Sequence, residues 1–194
     1  MYSNAWKKLR FRHTVPVVAV CLLLAAGGCF FAVPSEQQEK GDKLLFSEAQ
    51  KSLDARDYVD AIAKFQLFLE QFPKSQQYTW ALQRLGESYE GLLEVACSRR
   101  VQQGEDPGAV HREFLQKYGH YKVWTEDAQG IRYNQAHYRE IVEKFPDSPI
   151  ADEAEYRLIP WAGDYKGEPA AVAGEIARLE AVLEKYPSTS LRPE

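Results

Sequence analysis

The stretch "DYVDAIAKFQLFLEQFPKS" (residues 57–75) decides the fold. Tyr58, Ala61, Ile62, Phe65, Leu69 and Phe72 recur at helical offsets of 0, 3, 4, 7, 11 and 14, so they form one apolar stripe that needs a partner. Pro73 cannot continue the helix, because its ring fixes φ and it lacks an N–H, and it pushes Phe72 out of the α region. Ser75 can then accept a hydrogen bond from the free N–H groups that open the next helix. The same wording returns as "HYREIVEKFPDS" (residues 137–148) and "IARLEAVLEKYPST" (residues 176–189). The unit is a helix, a sharp stop and a new helix.

Outward from these stretches the pattern stays helical, and no run alternates with the strict period of two that a half-buried strand requires. The expected fold is all-α, built from about four degenerate helical hairpins at residues 42–73, 75–118, 120–146 and 148–187. Pro73, Pro146 and Pro187 mark three stops, and "FLQKYG" (residues 114–119) reads as a fourth with Gly in place of Pro. The third hairpin is the poorest, since "YKVWTEDAQGIRYNQA" places Gly130 in mid-helix. Ser148 with Pro149 behind it gives the fourth a clear start.

Residues 1–28 read as a targeting segment, with the basic run "KKLRFRH" followed by 15 apolar or small residues, too few for the roughly 20 of a membrane-spanning helix. The end of that run, "LAAGGCFF", resembles the lipobox of bacterial lipoproteins, with Leu24 further back than usual and Ala26 three places before Cys29. The resemblance implies acylation of Cys29 after signal removal. The alternatives are an ordinary signal peptide with an incidental cysteine, or an uncleaved anchor. Residues 29–41 are then a polar linker, 42–187 the helical domain and 188–194 a tail. Losing Lys7, Lys8, Arg10 and Arg12 with no acid takes the net charge from −4 to −8, which disfavours nucleic acid and leaves membrane contact to acyl chains. Cys97 alone remains after Cys21 and Cys29, and reads as a small buried residue.

"ALQRLGESY" (residues 81–89) carries Leu82, Leu85, Gly86 and Tyr89 at the spacing of helix A of the tetratricopeptide repeat, with Leu for Trp. Ala61, Phe65 and Pro73 match its helix B. Gly86 and Ala61 let helices approach, Phe65 and Tyr89 fill the space between hairpins, and Gln83 is read as a surface position. The wording from Asp57 to Tyr89, with the lipobox, resembles the outer-membrane assembly lipoproteins of the BamD (YfiO) family, and more distantly the TolA-binding proteins of the Tol–Pal system. The chain departs from that family in having at most four repeats rather than about five. The resemblance implies a lipid-anchored protein on the periplasmic face of the outer membrane that docks envelope proteins, among them the β-barrel assembly machinery. The alternative is an interaction protein of the Tol–Pal, cell-wall or pilus machinery.

No catalytic activity and no cofactor or metal is expected. His111, His120 and His137 have no recognised metal spacing, His137 and Glu140 read as a solvated pair, and the acid-rich "QQEKGD" and "DEAEYR" as solvated helix faces. Binding by shape remains, with Tyr78 and Trp80 as candidate partner anchors and Tyr121, Trp124 and Trp161 as the next candidates.

Overall fold

The structure, a computed structural model, describes residues 35–127, 130–159, 169–189 and 191. The lipidation candidate Cys29, the signal segment and Trp161 lie outside them. Helix α1 (Ser35–Asp54) begins inside the stretch expected to be linker, so residues 35–41 are helical. The run Glu36 to Lys40 holds good helix formers, Lys43 pairs with Glu39 one turn back at 2.7 Å, and the Phe72 ring lies beside Gly41. Helix α2 (Tyr58–Gln71) starts at Asp57, whose carboxylate accepts the Asp60 N–H at 3.3 Å. It buries Ala61, Ile62, Phe65 and Phe68, and the Phe46 ring of α1 meets Phe65 and Phe68 edge-on at 5.7 and 5.6 Å.

The turn joining the two helices puts Arg56 at φ 61°, the left-handed region usually left to glycine. Arg56→Gly is therefore expected to stabilise the protein by about 1 kcal/mol, read as a rise in Tm of ~2–4 °C. An unchanged or lowered Tm would show that the turn carries no such strain.

The proline stop is built the same way three times. The N–H of Phe72 reaches Phe68 O at 2.8 Å, that of Phe145 reaches Ile141 O at 2.9 Å, and that of Tyr186 reaches Val182 O at 2.9 Å. Three residues on, Ser75, Ser148 and Thr189 donate their N–H groups back to Phe72 O, Phe145 O and Tyr186 O. Their hydroxyls accept from Gln77 N at 3.1 Å, Ile150 N at 3.5 Å and Leu191 N at 3.1 Å. After the first two stops a helix follows, α3 (Tyr78–Leu93) and α7 (Ala151–Leu158). Ser148 is not the N-cap of α7, because the helix starts beyond Pro149, with Ile150 as its cap.

Between α3 and the helix that precedes Pro146, α6 (Ala136–Lys144), lies a segment that is not the expected helical hairpin. The chain runs from α3 through a π turn at Glu94–Ser98 into α4 (Arg99–Gln102). It then enters α5 (Pro107–Tyr118), whose first turn is capped by the Asp106 carboxylate on Ala109 N at 2.7 Å. A two-stranded antiparallel sheet follows, β1 (Trp124–Asp127) with β2 (Gly130–Tyr133), in the register Trp124↔Tyr133 to Asp127↔Gly130. The all-α expectation is corrected to a mostly helical fold with this one small sheet among the described residues. Gly130 at φ 119° opens β2 and would strain any other residue, and Lys122 and Gln135 bracket the hairpin at φ 58° each.

The first and fourth expected hairpins are present, α1 with α2 and α7 with the last helix, and the two between them pair differently. α1 packs on α2, α2 on α3, α3 on α6, α6 on α7, and α7 on α8 (Pro169–Lys185). Residues 75–118 and 120–146 do not form separate hairpins. "FLQKYG" ends α5, inside the inserted segment, and passes into a 3₁₀ turn rather than a stop of the proline kind.

Candidate interaction surface

The positions read as repeat packing lie in the core. Ala61, Phe65, Leu82, Leu85 and Tyr89 are buried, and Pro73 is exposed in its turn. A Cβ on Gly86 would stand 2.7 Å from Cζ of Tyr138, so the glycine admits the α6 ring into the face of α3. Gly91, one turn and a residue further, does the same for the Tyr58 ring of α2. Gln83 is not on the surface. It is 1% exposed, and its Oε1 has no hydrogen-bond partner among the described residues.

Tyr78 and Trp80 do not share a face. Two residues apart on α3, they point to opposite neighbours. Tyr78 is half-buried with its ring 5.6 Å from Phe145 at the end of α6, and burial raises its phenol pKa, with Glu140 adding to the rise. Trp80 is half-buried toward α1, where it lines an open cleft of about 360 Å³ with Phe46, Gln50, Gln76, Gln77 and Arg84. The pair cannot act as one anchor.

Tyr121 and Trp124 are not free anchors either, because they surround Tyr89. Four rings lie 5.4–5.6 Å from that of Tyr89, those of Tyr121, Trp124, Tyr133 and His137. Its hydroxyl accepts from Gln66 Nε2 at 2.8 Å, and the Trp124 indole N–H donates to Tyr118 O at 2.8 Å. The nest fastens the inserted segment to α3 and α6. In it the Tyr133 hydroxyl accepts the His137 backbone N–H at 3.3 Å and shares a hydrogen bond of 2.5 Å with His137 Nδ1. Burial pushes the His137 pKa down to about 4, opposed by Glu140. The sequence reading placed this histidine in a solvated pair, since helical spacing alone cannot show that two strands fold over it.

A second network joins α3, α6 and α7. Arg157 reaches Glu90 at 3.1 Å, Glu87 at 3.5 Å and Glu153 at 3.7 Å, and Gln135 Nε2 donates to its carbonyl at 2.7 Å. Burial raises the Glu90 pKa and the Arg157 charge opposes that rise. "DEAEYR" is thus only partly a solvated face. Its i,i+4 pair Glu153–Arg157 was visible in the sequence, and its long-range partners on α3 were not. Cys97 is buried in the π turn, and burial raises its thiol pKa.

The open space in the described surface gathers at the proline turns. A cleft of about 330 Å³ lies beside Phe72, Lys74 and Ser75, and another of about 330 Å³ runs between Ser148 and Pro187. Among the described residues no group of three or more His, Cys, Asp or Glu could hold a metal ion, and no helix is long and apolar enough to cross a membrane. No family model, curated protein or solved structure matches this chain.

Proposed function

We propose that the chain is a lipid-anchored periplasmic scaffold that binds other envelope proteins through tetratricopeptide-like helical units, in outer-membrane protein assembly. The observation that carries this reading is a common register. Ala49, Gly86 and Ala154 are small residues on α1, α3 and α7, with both alanines fully buried, and Phe65, Tyr138 and Leu179 each stand eight residues before a proline stop. Gly86 meets Tyr138, and from Ala49, Gly86 and Ala154 to Phe65, Tyr138 and Leu179 the distances are 16, 52 and 25 residues. On this reading there are three units rather than four. The second is opened by the segment holding α5 and the β-hairpin, and the third has its extra residues between α7 and α8. Units of this kind offer edges and faces to the segments of partners, and Cys29 supplies the anchor.

The test is purification from detergent-solubilised envelopes of the natural chain and its Cys29→Ser variant. The natural chain should carry acyl chains on Cys29, sediment with the outer membrane and bring down a β-barrel assembly protein, and the variant should be released. An unmodified Cys29, or a variant still membrane-bound after normal processing, would overturn the anchor. Recovery of TolA-like or pilus proteins in place of a barrel insertase would move the scaffold to that machinery.

A further inference from the structure

Among the described residues, Asp42 Oδ1 and Gln77 Oε1 are buried oxygens with no hydrogen-bond partner, and both residues line the cleft of about 330 Å³ beside Phe72, Lys74 and Ser75. An acceptor buried without a donor loses its water and gains nothing in return, and a carboxylate oxygen loses most. The carboxylate is nevertheless fixed in place. Its other oxygen, Oδ2, accepts the Ser75 hydroxyl at 2.6 Å, and that hydroxyl in turn accepts the Gln77 backbone N–H at 3.1 Å. The turn after Pro73 thus ties α1 to the start of α3 and leaves two acceptors open. Lys43, the next residue on α1, pairs with Glu39 at 2.7 Å instead.

We propose that this cleft takes the ammonium group of a lysine side chain on a partner polypeptide. The assignment goes beyond the scaffold proposed above and rests on it only for there being a partner. Two open acceptors call for a group with more than one N–H, and the carboxylate favours a cation. Ammonium fits better than guanidinium. The Ser75 hydroxyl already occupies Asp42 Oδ2, which leaves no second oxygen for the two-pronged bond that arginine makes with a carboxylate. The Phe72 ring gives the methylene stem of the lysine an apolar wall. The rest of the partner has a place to lie, since Gln76 and Gln77 also line the Trp80 cleft, and Glu39, Asp42, Lys43, Phe46 and Gln50 meet the two clefts from successive turns of α1.

The probe is a blocked tripeptide, acetyl-Gly-Lys-Gly-amide, titrated into the full chain held in detergent and followed by the NMR shifts of the Ser75 and Gln77 amides. Saturable shifts are expected, with a Kd in the millimolar range for so small a contact. Asp42→Asn should weaken binding by about tenfold or more and Gln77→Met by about threefold, in line with the loss of a charged acceptor and of a neutral one. Acetylating the lysine should abolish binding, and arginine in its place should weaken it. Circular dichroism of both variants should match the natural chain. No saturable shift, or shifts indifferent to both substitutions, would overturn the inference while leaving the scaffold and its anchor untouched, since the titration needs neither Cys29 acylation nor an envelope protein. Putrescine binding that the tripeptide does not match would assign the cleft to a free amine and overturn the partner named here. Binding gained only in a Lys74→Ala variant would show that the chain's own Lys74 fills the cleft, and would overturn it too.

Discussion

Gly86→Leu should lower the stability of the protein by about 3 kcal/mol, a fall in Tm of ~6–12 °C. The Cβ alone would stand 2.7 and 2.8 Å from two ring carbons of Tyr138, and Tyr138 is fully buried with nowhere to turn. The gain in helix propensity over glycine, about 0.8 kcal/mol, offsets only a part. Gly91→Leu meets the Tyr58 ring in the same way, but Tyr58 is half-buried and can swing outward, so its cost should be smaller. Gly119→Ala is the control, since Gly119 has nothing near its Cβ position and an ordinary φ of −60°. That variant should be neutral or slightly stabilised. Equal Tm values for Gly86→Leu and Gly119→Ala would mean that α3 and α6 do not meet at Gly86.

His137 should make the protein acid-sensitive. Its imidazole is neutral in the folded chain down to about pH 4, against an ordinary value of 6.5. A base whose folded pKa is depressed contributes its full share above the unfolded pKa, and that share is lost as pH falls toward the folded pKa. The window is pH 6.5 to 4, and the loss is on the order of 3 kcal/mol. His137→Phe keeps a flat ring against Tyr89 and Tyr133 but takes up no proton. Urea melts of both proteins at pH 7.5, 5.5 and 4 should show the difference in stability moving steadily in favour of the phenylalanine variant as pH falls. A difference flat across that range would show that His137 is open to water and protons in the folded state.

The sequence carried the helices that end at Pro73, Pro146 and Pro187, because ring closure at proline and a 3.6-residue stripe are both local. It also carried the importance of Gly86 as a place where helices approach, though not that the neighbour is α6. The α6 segment looked like the second half of a third hairpin, and only tertiary contact shows that it completes the pair begun by α3. The β-hairpin was hidden for a simple reason. Its strands are four residues each, and only Ile131 and Tyr133, either side of exposed Arg132, alternate in burial. Tyr78 and Trp80 looked like a pair because they are near in sequence. On a helix, positions two apart point away from each other, so half of that site reading was excluded by geometry already available.

The inserted segment also bears on the order in which the chain can assemble. Three residues link α1 to α2, while 42 separate the end of α3 from the start of α6. Closing the longer loop costs on the order of 2 kcal/mol more in chain entropy before any contact between α3 and α6 repays it. That difference favours a first hairpin that zips locally and early, with α3 waiting on its side for a partner. The aromatic nest around Tyr89 offsets part of that cost, since the strands, α5 and α6 all meet there. The contact between α3 and α6 is thereby tied to the segment that separates them in the chain.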